Sequence, residues 1–316
     1  MQTPEFWTKR GFVSSILQPF AAIYATATAR RLKSRIPYKA ECPVICIGNL
    51  TAGGTGKTPV SLSIAELLHS MGKNPYFISR GYGGALRNVI VNPKVHTPQQ
   101  VGDEPLLLAE AAPAVVNPDR AGAAKLAISD GADCLVMDDG FQNPTLHKDL
   151  SFLVFDGNYG IGNGRVIPAG PLREPFDKGI KRAQAVIILG EDKKQIASQT
   201  DLPIFYGEIK EENPETTNRN IVAFCGIGHP EKFFASLSKC GFNINRNFSF
   251  PDHHFYTRAE LNSLIDFAQK NNLDIYTTSK DFVKIPPELR SHFKVLKIKI
   301  WWHNENALQN FLAQLF

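Results

Sequence analysis

Residues 48–58 read Gly48-Asn49-Leu50-Thr51-Ala52-Gly53-Gly54-Thr55-Gly56-Lys57-Thr58, set between an apolar run (43–48, PVICIG) and a helical stretch (59–70). A strand, a glycine-rich loop and a helix start in that order form a phosphate-binding loop. Glycines let backbone N–H groups wrap phosphate oxygens, and the helix N-terminus adds positive potential. Lys57 then reaches the β- and γ-phosphates, and the Thr58 hydroxyl is placed for Mg²⁺. On this reading residues Thr51, Ala52, Gly53, Gly54, Thr55, Gly56, Lys57 and Thr58 bind the nucleotide. The common pattern has Gly five residues before the Gly-Lys pair, where this chain has Thr51. Gly53, Gly54 and Gly56 keep the loop backbone permissive despite that departure.

Outward from the loop, short apolar runs alternate with helical stretches. Strands are expected at 75–79, 114–116, 134–137, 152–155 and 186–189, a short extended piece at 89–92, and helices at 104–111 and 119–130. Such alternation predicts a parallel sheet covered by helices on both faces. The run 134–140 (CLVMDDG) ends a strand in two acids. A carboxylate at the carboxyl end of a parallel strand points into the ligand crevice, which is where a phosphate-loop enzyme holds Mg²⁺. Residues 191–219 are polar, and the tract 211–218 reads as a loop or linker. Beyond it, strands at 221–224, 275–277 and 295–298 and helices at 230–239, 258–270 and 307–315 predict a second, smaller α/β unit. The organisation expected is therefore 1–40, 41–215 and 216–316.

The chain has 316 residues, 43% hydrophobic and 21% charged, with a formal net charge of +5. These values exclude a disordered or collagen-like chain. The mild basicity suits an anionic substrate, a membrane surface or nucleic acid, and equally an evenly charged surface with no such partner. Five cysteines (Cys42, Cys46, Cys134, Cys225 and Cys240), with no C-x-x-C pair, read as reduced thiols rather than a disulfide frame or a zinc site. From Gly11 to Ala29 there is no charged residue; Lys9 and Arg10 precede the run, and Arg30, Arg31, Lys33 and Arg35 follow it. Its length matches the roughly 20 residues of a bilayer span. Ser14, Ser15, Gln18, Pro19, Thr26 and Thr28 dilute it, so an interfacial anchor fits as well as a span, and the alternative to both is a surface helix packed on the protein's own core.

No Asn-Lys-x-Asp guanine-reading motif occurs, and 277–281 (TTSKD) is only a loose echo of one. Helicase motifs and stacking-aromatic modules are absent, so no nucleic-acid partner is expected. A kinase needs a group to take the acceptor hydroxyl's proton. Candidates lie in three loops: 101–105 (VGDEP, with Asp103), 251–254 (PDHH, with His253) and 172–175 (LREP, with Arg173 and Glu174). Asp103 could equally cap the next helix. A kinase for a different alcohol, or a nucleotide switch that transfers phosphate to no small molecule, shares the same loop.

Taken together, these segments resemble the tetraacyldisaccharide 4′-kinase (lipid A 4′-kinase) family. The matching pieces are GNLTAGGTGKTP (48–59), RGYGG (80–84), VGDEP (101–105), NPDRAGAA (117–124), DDGFQN (138–143), GNGRVIPAGPLREP (162–175), AFCGIGHPEKFF (223–234), FPDHHFY (250–256) and TTSKDFVK (277–284). Thr51 is usual in that family. The resemblance implies a phosphate-loop α/β core, a smaller C-terminal lobe, and an N-terminal membrane helix over residues 10–33. It also implies transfer of the γ-phosphate of ATP to the 4′-hydroxyl of a tetraacyl glucosamine disaccharide 1-phosphate, at the cytoplasmic face of the bacterial inner membrane. It implies no obligate protein partner. By the same resemblance Asp138, Asp139 and Glu174 organise Mg²⁺ with Thr58, Asp103 is the general base, and His253 is its partner. Arg173 and Arg120 are candidates to stabilise phosphoryl charge. Asn143 stands where many relatives have His, and Thr-Thr-Ser before Lys280 replaces the more usual Met-Thr-Glu.

Overall fold

The structure, a computed structural model, describes residues 4–212 and 218–316. The expected boundary at 215/216 and most of the polar tract 211–218 lie outside those residues. Nine strands form the large sheet. They are β1 (Val44–Gly48), β2 (Pro75–Ser79), β3 (Val89–Ile90), β4 (Ala114–Val116), β5 (Cys134–Asp138), β6 (Leu150–Asp156), β7 (Ala185–Leu189), β8 (Ile204–Glu211) and β13 (Ile298–Trp302). Their order is β13-β8-β7-β6-β1-β5-β2-β4-β3, parallel except for the antiparallel edge pairs β13–β8 and β3–β4. The second sheet is all parallel, in the order β10-β9-β11-β12, from β9 (Asn220–Cys225), β10 (Asn243–Ser249), β11 (Asp274–Thr278) and β12 (Phe293–Leu296).

The helices are α1 (Phe12–Ile16), α2 (Gln18–Lys33), α3 (Lys57–Ser70), α4 (Pro98–Val101), α5 (Asp103–Leu108), α6 (Arg120–Ser129), α7 (Phe176–Ile180), α8 (Pro230–Lys239), α9 (Arg258–Lys270), α10 (Ser279–Phe282) and α11 (Glu305–Ala313). The parallel α/β core and smaller lobe are those expected from the alternation of elements. Three strands were not anticipated. β8 arises inside the polar stretch, β10 (NINRNFS) is a largely exposed edge, and β13 brings the chain back to the large sheet. Residues beyond 216 are thus divided between the two sheets.

β1 is buried along its whole length, as a central parallel strand must be. Successive side chains point to opposite faces. Ile45 and Ile47 pack with Val60, Ile64 and Phe77 on the side of α3, whereas Val44 and Cys46 pack with Ala123, Met137 and Phe141 on the other. Each such fully buried Ile or Val contributes roughly 1.5–3 kcal/mol. Trp302 of β13 joins the α3 side, where its Nε1 donates to Ser63 Oγ at 2.9 Å. All five cysteines are free thiols.

The N-terminal run is broken. α1 ends at Ile16 and α2 begins at Gln18, with Pro19 in its first turn. Proline cannot donate the N–H that a continuous helix needs there. At 16 residues α2 is about 24 Å long, against a hydrocarbon core of about 30 Å. Among the described residues no helix is long and apolar enough to cross a membrane. Phe12, Val13, Ile16, Phe20 and Ile23 are exposed, while Ser14, Ala21 and Thr28 are buried against the protein. The segment is tied to residues 162–172. Trp7 Nε1 donates to the Pro168 carbonyl, Arg10 Nε to that of Asn163, and Arg165 to the Ser14 and Ser15 hydroxyls.

Candidate active site

The loop between β1 and α3 owes its shape to backbone close approaches. A Cβ at Gly48 would lie 2.4 Å from that of Phe141, and Gly56 has φ +84° at the turn into α3. Both positions therefore require glycine. Thr51 is fully buried and is not among the residues with positive φ. Its carbonyl accepts from Asn49 Nδ2 at 2.6 Å, and its backbone bridges to Leu172. Asn49 also donates to Thr55 Oγ1. The segment 171–173 flanks the loop: Ala52 N donates to the Pro171 carbonyl and Arg173 N to that of Leu50. A left-handed glycine is unnecessary at position 51 because these bonds fix an ordinary backbone there.

At the carboxyl end of β5, Asp138 is buried between two hydroxyls of α3. Thr58 Oγ1 donates to Oδ2 at 2.9 Å and Ser61 Oγ to Oδ1 at 3.0 Å. Burial, with the negative charge of Glu104, pushes its carboxyl up to about 6 against the pull of Lys57. Asp139 follows with φ +51°, a strained conformation for a non-glycine residue. Arg173 grips Asp139 with both terminal nitrogens (2.7 and 3.2 Å), and Lys57 Nζ lies 3.8 Å from Oδ1. Burial raises the Asp139 carboxyl, but Lys57 and Arg173 outweigh it and hold the group below the usual range. Lys57, the first residue of α3, is itself lowered by burial.

Glu174 is placed differently from the two aspartates. Both its oxygens accept from Arg182 Nη2 (2.5 and 2.6 Å), and Oε1 also accepts from Gln142 Nε2 at 3.1 Å. Gln142 Oε1 in turn accepts from Arg173 at 3.3 Å, so a hydrogen-bonded chain runs from Glu174 to Asp139. Arg120 is buried, its Nη1 donating to the main-chain carbonyl of Asn117 at 2.8 Å while Nε has no partner. Burial and the neighbouring Arg80 push it down to about 10. Asn143 is occupied locally, accepting from the Thr145 amide and hydroxyl.

Asp103 opens α5, which packs on α3. It is buried, and its Oδ2 lies 2.9 Å from His253 Nδ1 although the two are 150 positions apart. His253 follows β10 in the second lobe, at φ +59°. The pair therefore forms across the cleft between core and lobe. Burial raises the Asp103 carboxyl, but the hydrogen bond from His253 and the charge of Lys280 bring it below the usual range. The structure thus gathers Lys57, Thr58, Asp138, Asp139 and Arg173 in one cluster, with Glu174 one hydrogen-bonded layer behind and Asp103 paired to His253. Four participants were missed in the sequence: Ser61, Gln142, Arg182 and Lys280. Ser61 sits one helical turn after Thr58, and Gln142 lies inside DDGFQN; Arg182 carried no local signal.

Oxygen donors dominate this cluster. Among the described residues no group of three or more His, Cys, Asp or Glu side chains could by itself hold a metal. One or two carboxylates completed by a hydroxyl, water and substrate phosphates are what Mg²⁺ uses. Asp138 fits that role, being a buried carboxylate whose direct partners are hydroxyls.

Comparison with known proteins follows the same lines. A model of the family described as tetraacyldisaccharide-1-P 4′-kinase matches residues 13–316. A tetraacyldisaccharide 4′-kinase of Gluconobacter oxydans is 46% identical, covering 99% of this chain and 98% of its own length. Its counterpart from Rhodospirillum centenum is also 46% identical, over 100% of this chain and 97% of its own. The crystal structure of LpxK from Aquifex aeolicus, in complex with ATP, has a TM-score of 0.80 and 28% identity, covering 96% of this chain and 100% of that one.

Proposed function

The chain belongs to the tetraacyldisaccharide-1-P 4′-kinase family, and from that membership we infer that it transfers the γ-phosphate of ATP to the 4′-hydroxyl of a tetraacyl glucosamine disaccharide 1-phosphate. It is an ATP-dependent kinase of lipid A biosynthesis acting on a lipid-linked sugar, and its product is lipid IVA. The observation that carries the site assignment is the convergence of Lys57, Asp138 and Asp139 at the phosphate loop with the Asp103–His253 pair across the cleft. Transfer of labelled phosphate to that acceptor tests it.

Loop amides of residues 51–58 bind and orient the triphosphate. Lys57 and Arg173 supply positive charge beside Asp139 for the phosphoryl group as charge develops on its oxygens. The Asp103–His253 pair receives the proton of the 4′-hydroxyl. Thr58, Asp138 and Asp139 would hold Mg²⁺, which would supply positive charge to the phosphate groups. Glu174 supports that set through Gln142 and Arg173, and it neutralises Arg182. Glu174→Ala should therefore raise the Mg²⁺ concentration for half-maximal rate by about 10-fold or more, the scale of losing a group that orients metal ligands. An unchanged Mg²⁺ dependence would confine Glu174 to packing.

The N-terminal segment delivers this site to the substrate's membrane, at the cytoplasmic face of the bacterial inner membrane. Its exposed apolar residues, followed by Arg30, Arg31, Lys33 and Arg35, support an interfacial rather than a spanning helix. The variant Phe20→Asp/Ile23→Asp should lose at least about 10-fold in partition onto anionic vesicles, since two apolar side chains leave the acyl boundary. Equal co-sedimentation of variant and wild type would refute membrane delivery by this face.

A further inference from the structure

We propose that Lys280 is a positioning residue for phosphoryl transfer, holding His253 in the neutral tautomer that carries its proton on Nδ1 and clasping the small lobe to the core at that point. The proposal deepens, and rests on, the reading of Asp103 and His253 as the proton-accepting pair.

Lys280 is the second residue of α10, which faces α5 across the cleft. Its side chain is 24% exposed, and its Nζ meets three groups. His253 Nε2 is 3.3 Å away, Asp252 Oδ1 3.6 Å and Glu104 Oε1 3.8 Å. Glu104 belongs to the core, whereas Asp252 and His253 belong to the lobe. A single ammonium therefore ties the two together beside the pair.

The backbone that presents Lys280 is fixed from beneath. Thr278 caps α10 by accepting from Asp281 N. The buried Asp281 carboxylate is held by Lys284, Gly226 N, Thr278 Oγ1 and Tyr256 Oη. That cluster fixes the backbone from which the Lys280 side chain reaches.

An ammonium has donors and no acceptor. Facing it, His253 Nε2 must offer its lone pair, so the proton of the neutral ring sits on Nδ1. There it donates to Asp103 Oδ2, while Asp103 Oδ1 accepts from Glu104 N at 3.0 Å. A doubly protonated ring would turn an N–H toward Nζ.

The other groups facing His253 are Asp252, its own neighbour, with Oδ1 3.9 Å from Nε2, and Tyr82, whose ring centroid is 6.0 Å from that of the imidazole. Lys284 acts on Asp103 from behind. The hydrogen bond to Asp103 raises the imidazole's proton affinity; burial and Lys280 oppose it. Without Lys280 the pair should hold its proton to higher pH.

The test is the pH profile of kcat/KM for wild type, Lys280→Ala, Lys280→Arg and Asp103→Ala, together with the ¹⁵N chemical shifts of the His253 ring in the full-length protein without substrate. Lys280→Ala should move the acidic limb upward by about one pH unit, the scale of losing one adjacent charge. Lys280→Arg should restore the wild-type limb. The ring nitrogens should change from a fixed Nδ1–H signature to a mixed one in Lys280→Ala and not in Lys280→Arg. A uniform fall in rate at every pH with the limb unmoved, or an unchanged ¹⁵N signature, would overturn the assignment of Lys280. Normal turnover in Asp103→Ala would instead overturn the pair on which it rests. These two failures are distinguishable because the second is seen in a variant that retains Lys280.

Discussion

Lys57→Ala is expected to lower kcat by about 10³-fold, the upper range for removing one preorganised charge from a transition state. Lys57 is the first residue of α3, so its backbone and side chain both act at the phosphate end of the helix. The side chain is only 11% exposed and is drawn toward Asp139, which Arg173 grips from the other side. Alanine removes one of the two cations at that carboxylate and leaves the loop backbone in place. Nucleotide affinity should fall as well, but by less than the rate, because the charge on the phosphoryl oxygens changes most during transfer. Steady-state kinetics with saturating ATP separate the two effects. A kcat within tenfold of wild type would remove Lys57 from the chemistry.

Asp103→Ala should cut kcat by at least roughly 10²-fold, the usual cost of losing an acid–base group, with ATP affinity nearly unchanged. The split follows from the geometry. Asp103 is bonded to His253 and Glu104 N, while the residues that bind phosphate lie in the loop after β1 and the first turn of α3. The variant also leaves His253 without the acceptor that raises its proton affinity. Equilibrium binding of nucleotide measured beside turnover gives the comparison. Near-normal turnover would show that the acceptor hydroxyl loses its proton elsewhere, and parallel loss of nucleotide binding would indicate damage to the fold.

What could be read from the sequence was local. The phosphate loop is a contiguous strand, turn and helix start, and Asp138 and Asp139 end an apolar run, so their roles and their place in the sheet follow from neighbours in the chain. The uncharged run from Gly11 to Ala29 was equally visible, and Pro19 within it marks where the helix breaks. Strands without a hydrophobic pattern were not visible. β10 is polar and mostly exposed because it is an edge, and β8 lies between β7 and β13, with its β13 partners 87 to 95 positions away in the chain. The contact between Asp103 and His253 spans 150 positions and two lobes, so spacing carried no sign of it and only the family resemblance suggested it. Arg182 reaches Glu174 by tertiary packing over the Phe141 ring, 4.3 Å away, which no motif encodes.

Phosphate transfer from γ-labelled ATP, with Mg²⁺ and detergent, to a tetraacyl disaccharide 1-phosphate decides both the reaction and its acceptor. A labelled bisphosphorylated lipid is expected that depends on the acceptor and disappears with Lys57→Ala. ATP binding with no label in that lipid would contradict the substrate assignment while leaving the phosphate loop intact.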